Sequence, residues 1–259
     1  AGYQTYALQI LKNSGLTCEG LTTPGGYGSG ARPQLAQATL EAVRGVFGAE
    51  VPHYFRDLYD AGKRSVAPLV QNARGLDGPD PRCVVSILGC TGDWTGGWDC
   101  TEPAGADKFI TADLQAGRMV EVIGRGEPAI MVCHWTGIYW NGQERGFKIF
   151  QEVVRRLQAR FDPLLWMKLS EIARYWAARE LTRIERVDNR IALQAPFACP
   201  QFTLRLAGPS EAPPKFSAGP QPAVALEPAT RPGSLASGQW TRQGEDRIVI
   251  DLPGYTDAT

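Results

Sequence analysis

The sequence contains only two histidines, His53 and His134, and the second has the surroundings of a working imidazole. It follows the apolar run Ala129-Ile130-Met131-Val132-Cys133 and precedes Trp135-Thr136-Gly137-Ile138-Tyr139-Trp140. A buried strand would deliver the ring into an aromatic loop, where a group titrating near neutral pH serves as general acid or base. A core histidine hydrogen-bonded to backbone fits the same position, and both readings stay open. His53, beside Tyr54, Phe55 and Tyr59, reads as packing. The second feature is Gly92-Asp93-Trp94-Thr95-Gly96-Gly97-Trp98-Asp99. Here Asp93 could accept hydrogen bonds from sugar hydroxyls, with the Trp94, Trp98 and Trp135 indoles stacked on the apolar faces of pyranose rings. An Asx-type turn is the alternative for Asp93.

Thr22-Thr23-Pro24-Gly25-Gly26-Tyr27-Gly28 would let backbone approach a ligand closely, with Thr22, Thr23 and Pro24 as candidate contacts. It lacks both the lysine of a phosphate loop and the dinucleotide glycine spacing. Glu171 reads as a first-turn helix residue favoured by the dipole. A glycoside hydrolase drawing two carboxylates from Glu19, Asp93 and Glu171 is a further reading; it needs a pair ~5–5.5 or ~6.5–9.5 Å apart. The two histidines are 81 positions apart and no Asp or Cys partners are grouped near them, so no metal ligands are assigned in this chain. A G-x-S-x-G nucleophile elbow is also missing.

These residues need elements to hold them. Residues 3–13 have helical spacing (Tyr3, Tyr6, Ala7, Ile10, Leu11) up to a break at Gly15. Leu16–Thr22 reads as a short strand, Leu35–Phe47 as a helix, Val51–Phe55 as a weak strand and Cys83–Leu88 as a strong one. Lys108–Ala116 reads as a helix and Ala129–Cys133 as a buried strand. Gly146–Phe161 is the clearest helix, Leu164–Lys168 a short strand, and Ser170 the N-cap of a helix reaching about Arg183. Repeated strand–helix units predict parallel strands joined by crossover helices. The candidate residues fall at the strand ends, where such folds gather their chemistry. After Glu185 short strands at Arg190–Ala195, Gln201–Leu206, Val224–Leu226 and Arg247–Leu252 alternate with Pro- and Gly-rich turns. The expected division is an α/β domain over 1–185 and a small antiparallel, β-sandwich-like domain over 186–259.

Composition narrows the function classes. The 259 residues carry 27 basic and 27 acidic side chains, which argues against a general nucleic-acid binder or an anionic-membrane binder. No apolar run approaches the ~20 residues of a membrane span. The six cysteines form no C-x-x-C pair, so a zinc ribbon or thioredoxin-type motif is not expected. Helical sequence starts at once without an initiator Met or a signal core, as in a processed or partial chain. A cytoplasmic location is preferred, a secreted one stays open, and the oligomeric state is open.

Three segments together, Thr22–Gly28, Ala129–Trp135 and Trp166–Tyr175, resemble the polysaccharide deacetylase (NodB-homology) superfamily, in particular members with a β domain after the barrel. The resemblance covers about 1–185 and is to the second half of that barrel. It implies a distorted or partial β/α barrel and removal of acetyl groups from a glycan. In the family a divalent, zinc-like metal held by one Asp and two His activates water, and a later strand-end histidine protonates the leaving group; His134 matches that histidine. The Thr22–Gly28 turn resembles the family's Arg-x-Pro-Tyr loop, with threonine in place of arginine. The family's Thr-Phe-Asp-Asp-Gly segment and His-x-x-x-His pair have no counterpart in this chain. The sequence therefore reads as the latter part of a larger enzyme, or as a metal-free derived form that binds carbohydrate without turnover.

Overall fold

The structure, a computed structural model, describes residues 1–23, 32–56, 64–96, 103–161, 164–188, 190–206, 213–230, 235–241 and 246–254. Pro24 and Trp98 lie outside the described residues. The architecture is mixed α/β. Helix α1 (Gly2–Asn13) buries Leu8 against Val43 and Val46 of α2 (Arg32–Phe47), and just past its cap Ser14 the chain turns at Gly15, whose φ of +77° suits glycine. Four strands form the first sheet: β1 (Gly20–Thr22), β2 (His53–Arg56), β3 (Leu69–Arg74) and β4 (Arg82–Leu88). Their order is β1-β2-β4-β3, parallel except for the antiparallel edge strand β3. Among the described residues this sheet is open rather than closed into a barrel.

Strand β4 explains the layering. Its run Cys83-Val84-Val85-Ser86-Ile87-Leu88, apolar except for Ser86 and buried throughout, is the pattern of a strand covered on both faces. Val84 meets Leu35, Ala36 and Leu40 of α2, while Cys83, Val85 and Ile87 meet Ile172, Ala173, Trp176 and Ala177 of α6 (Leu169–Leu181). Beyond β4 the chain pairs with residues 130–132: the Cys90 N–H donates to the Ile130 carbonyl (2.8 Å) and the Trp94 N–H to the Val132 carbonyl (3.2 Å). Helices α3 (Arg118–Gly124) and α5 (Arg145–Arg160) pack Met119, Val122, Val153 and Leu157 around Trp94, Phe109 and Ile110. The short α4 (Trp135–Tyr139) lies between.

The C-terminal part holds the hairpin β5 (Arg183–Val187)–β6 (Arg190–Gln194), then β7 (Ala198–Leu206), β8 (Lys215–Phe216), β9 (Val224–Ala225), β10 (Glu227–Pro228), β11 (Gln239–Thr241) and β12 (Asp246–Pro253). Its main sheet, β10-β11-β12-β7, is antiparallel apart from the parallel β10–β11 pair. Position 186 lies inside β5. No helix among the described residues is long and apolar enough to cross a membrane.

Several expected elements differ. Residues 108–116 form no α-helix: a 3₁₀ turn at Ala106–Lys108 ends at the first of them, and turns follow. Thr111 and Asp113 bond each other and the Gln115 and Ala116 N–H groups, drawing the backbone away from a helix. Among the described residues, 129–133 make a single bridge, Asp93 to Val132, and are half-buried, because their partner segment is a turn-rich loop. Residues 164–168 form no strand: no neighbour among the described residues pairs with them, and Leu165 and Trp166 are exposed. The N-cap of α6 is Lys168 rather than Ser170.

Candidate functional site

Asp93 and His134 stand 41 positions apart in sequence and meet because the chain leaving β4 runs beside residues 130–132. The parallel bridge Asp93–Val132 places the carboxylate beside the chain two residues before His134, which caps α4. Asp93 Oδ2 contacts His134 Nδ1 and accepts the His134 backbone N–H (2.9 Å). Asp93 Oδ1 accepts the Thr95 N–H (2.7 Å) and the Thr95 hydroxyl (2.6 Å). The Asx-type turn foreseen for Asp93 and its role as an imidazole partner are thus the same arrangement. Burial works to raise the Asp93 pKa, but the bonds from Thr95 and His134 outweigh it and hold the carboxyl below its usual range. An ionised carboxylate only accepts, so it fixes the proton on Nδ1.

Thr95 is fully buried, and its fit depends on two glycines. A Cβ on Gly137 would sit 2.1 Å from Thr95 Cβ, and one on Gly146 would sit 2.6 Å from Thr95 Cγ2. Thr95, missed in the sequence, is therefore part of the site. Its only signal was its position two residues after an aspartate, the spacing of an Asx turn.

The aromatic residues separate. Trp94 is not a stacking platform: it is 6% exposed, its indole N–H donates to the Gly146 carbonyl (3.0 Å), and its ring stacks on Phe150. Trp135 is 71% exposed immediately after His134. Tyr139, one turn further along α4 and also exposed, stacks on Phe147; its i,i+4 spacing from Trp135 was the available signal. Thr22 is exposed at the end of β1, while Thr23 directs both its hydroxyl (3.2 Å) and its N–H (3.0 Å) to the Phe55 carbonyl, closing β1 on β2.

The carboxylate pair of a glycoside hydrolase does not assemble. Glu19 precedes β1, at the opposite end of the parallel strands from Asp93, and pairs with Arg174 (3.7 Å). Glu171 accepts the Lys168 N–H (2.7 Å) at the start of α6. His53 is buried and packs so tightly on Gly20 that a Cβ there would lie 2.3 Å from Nε2; burial pushes its pKa down, with Glu19 opposing. Among the described residues no three His, Cys, Asp or Glu side chains group to hold a metal ion, so the described residues do not fit the metal that the resemblance implies. Cys18, Cys83, Cys90, Cys133 and Cys199 are free thiols.

No family model, curated protein or solved structure matches this chain.

Proposed function

We propose that this chain supplies the proton-transfer half of a carbohydrate deacetylase-like hydrolase, on a partial, distorted β/α barrel of the NodB kind. The Asp93–His134 dyad carries the reading. Removing an acetyl group from a sugar nitrogen or oxygen needs a proton on the leaving atom as the tetrahedral intermediate collapses. A carboxylate holding Nδ1 orients the ring so that Nε2 faces that task, as in other carboxylate–imidazole pairs. Exposed Trp135, next in sequence, offers a flat apolar face to a pyranose ring beside the acid. The dyad itself needs no metal.

Replacing His134 by Ala should lower acetate release from acetylated oligosaccharides by about 10²–10⁴-fold. Stability should change little, because the imidazole is only partly buried and the residue-134 N–H still reaches Asp93. A large fall in melting temperature with turnover retained would return His134 to a packing role. The exposed indole of Trp135 favours a second reading, non-catalytic carbohydrate binding. Saccharide binding by the wild-type protein without acetate release, lost in W135A and kept in H134A, would select it.

A further inference from the structure

The loop that carries Asp93 out of β4 reads Gly89-Cys90-Thr91-Gly92-Asp93, with a glycine on either side of Cys90 and Thr91. Glycine leaves a backbone many conformations, so something must fix where the carboxylate is delivered. Gly89 itself is dictated by packing, since a Cβ there would lie 2.4 Å from Val132 Cγ2. Buried Cys90 is held at both of its backbone polar groups. Its N–H donates to the Ile130 carbonyl (2.8 Å), and its carbonyl accepts from Arg118 Nε (3.0 Å).

Arg118, the first residue of α3, is only 6% exposed. It lies this deep because the residue before it is Gly117, at a φ of +113°, where a Cβ would sit 2.5 Å from the Phe109 carbonyl oxygen. Its Nη2 donates to the Arg64 carbonyl (3.0 Å) and its Nη1 to Glu121 (3.3 Å). The segment gripped at Arg64 is fastened a second time by residues just past α3. Arg125 donates to the same carbonyl (3.2 Å), and Glu127 accepts the Ser65 hydroxyl (2.7 Å) and the Val66 N–H (2.9 Å). One planar guanidinium therefore ties the Asp93 loop to a segment that is anchored independently, which the point charge of a lysine could not do in the same geometry. A buried carbonyl stripped of its donor is costly, so without Arg118 the loop would shift to find another. We propose that Arg118 is a positioning residue for the Asp93–His134 dyad, setting through the Cys90 carbonyl the place from which Asp93 meets His134. Its bearing on acetyl removal rests on the proposed function; its hold on the dyad does not.

Carbon-13 NMR of the Asp93 carboxyl against pH, run beside thermal unfolding of the full chain, tests it. Burial works to raise the Asp93 pKa, and the bonds from Thr95 and His134 outweigh it. In Arg118→Met the loop shifts and those bonds weaken, so the Asp93 midpoint should rise by several tenths of a unit. Arg118→Lys keeps the charge and loses the fork, so its midpoint should rise too, by less; it decides the matter if R118M does not fold. Glu121→Gln leaves both carbonyl bonds in place and should titrate as the wild type does. An unmoved midpoint in the Arg118 variants, with only the melting temperature lowered, would make Arg118 a packing residue and overturn the proposal. So would a rise in R118M with R118K unchanged, which would mean that charge alone acts, or a rise in E121Q as large as in R118M. Acetate release is read separately: its absence from the wild type would remove the hydrolase reading and leave the titration result standing.

Discussion

At the scale of single residues, Thr95 decides how well Asp93 holds His134. Its two hydrogen bonds fix Oδ1, which leaves Oδ2 for the imidazole and for the residue-134 N–H. Thr95→Val keeps the shape and removes one donor. The bonds from Thr95 help depress the Asp93 pKa, and a depressed carboxylate stabilises the fold above its unfolded value and loses that contribution as pH falls through the folded one. The variant should therefore protonate Asp93 at higher pH than the wild type, and Thr95→Ser should restore the original titration. NMR of the His134 amide against pH reads this directly, and unchanged titration in T95V would remove Thr95 from the site. Gly137→Ala should reach the same end by pushing Thr95 aside, costing about 1–3 kcal/mol as overpacking. The sequence exposed Asp93 and His134 through their glycine- and aromatic-rich surroundings, but it held nothing that paired them. Trp94 and Trp135 show the limit of residue type: one indole fills a core and the other faces solvent, and only neighbours distant in sequence decide which.

Elements were legible where one interaction dominated. Helix α5 shows its apolar face at 3.6-residue spacing, and β4 its double burial as a nearly unbroken apolar run with Val84, Val85 and Ile87 β-branched. Strand β3 was hidden because Leu69-Val70-Gln71-Asn72-Ala73-Arg74 is an edge strand, half polar and half-exposed, with Asn72 at a φ of +53° where the register slips. The helix expected to reach about Arg183 stops at Leu181, and 183–187 pairs with 190–194 as a hairpin. The start of α6 turns on Glu171, which reaches back to the Lys168 N–H, one of the donors a helix leaves unsatisfied. Glu171→Ala should cost about 0.5–1 kcal/mol in urea unfolding, and Glu171→Gln, which keeps the acceptor, clearly less. Equal losses in the two variants would mean that charge rather than the hydrogen bond fixes the cap.

Across the whole molecule, α6 is the shared wall. Ile172, Ala173, Trp176 and Ala177 face the first sheet, while Ala178 and Tyr175 face Cys199, Phe202, Ile250 and Leu252 of the second. Phe197 strengthens the link: it comes from the C-terminal β region, yet it is wholly buried among Val51, Cys83, Val85 and Ile87 beneath β4. The change of sequence character near residue 186 marks where strands replace helices, but composition carries no trace of a phenylalanine reaching back into the earlier core. Phe197→Ala should cost about 3–5 kcal/mol, the usual range for deleting a buried aromatic ring. That corresponds to a fall of about 6–20 °C in melting temperature for a chain of this size. Because the cavity opens at the seam, hydrogen exchange should show amide protection falling together in β4 and β12. Loss confined to β12, with β4 amides as protected as in the wild type, would mean that the first sheet does not draw on Phe197 for its stability.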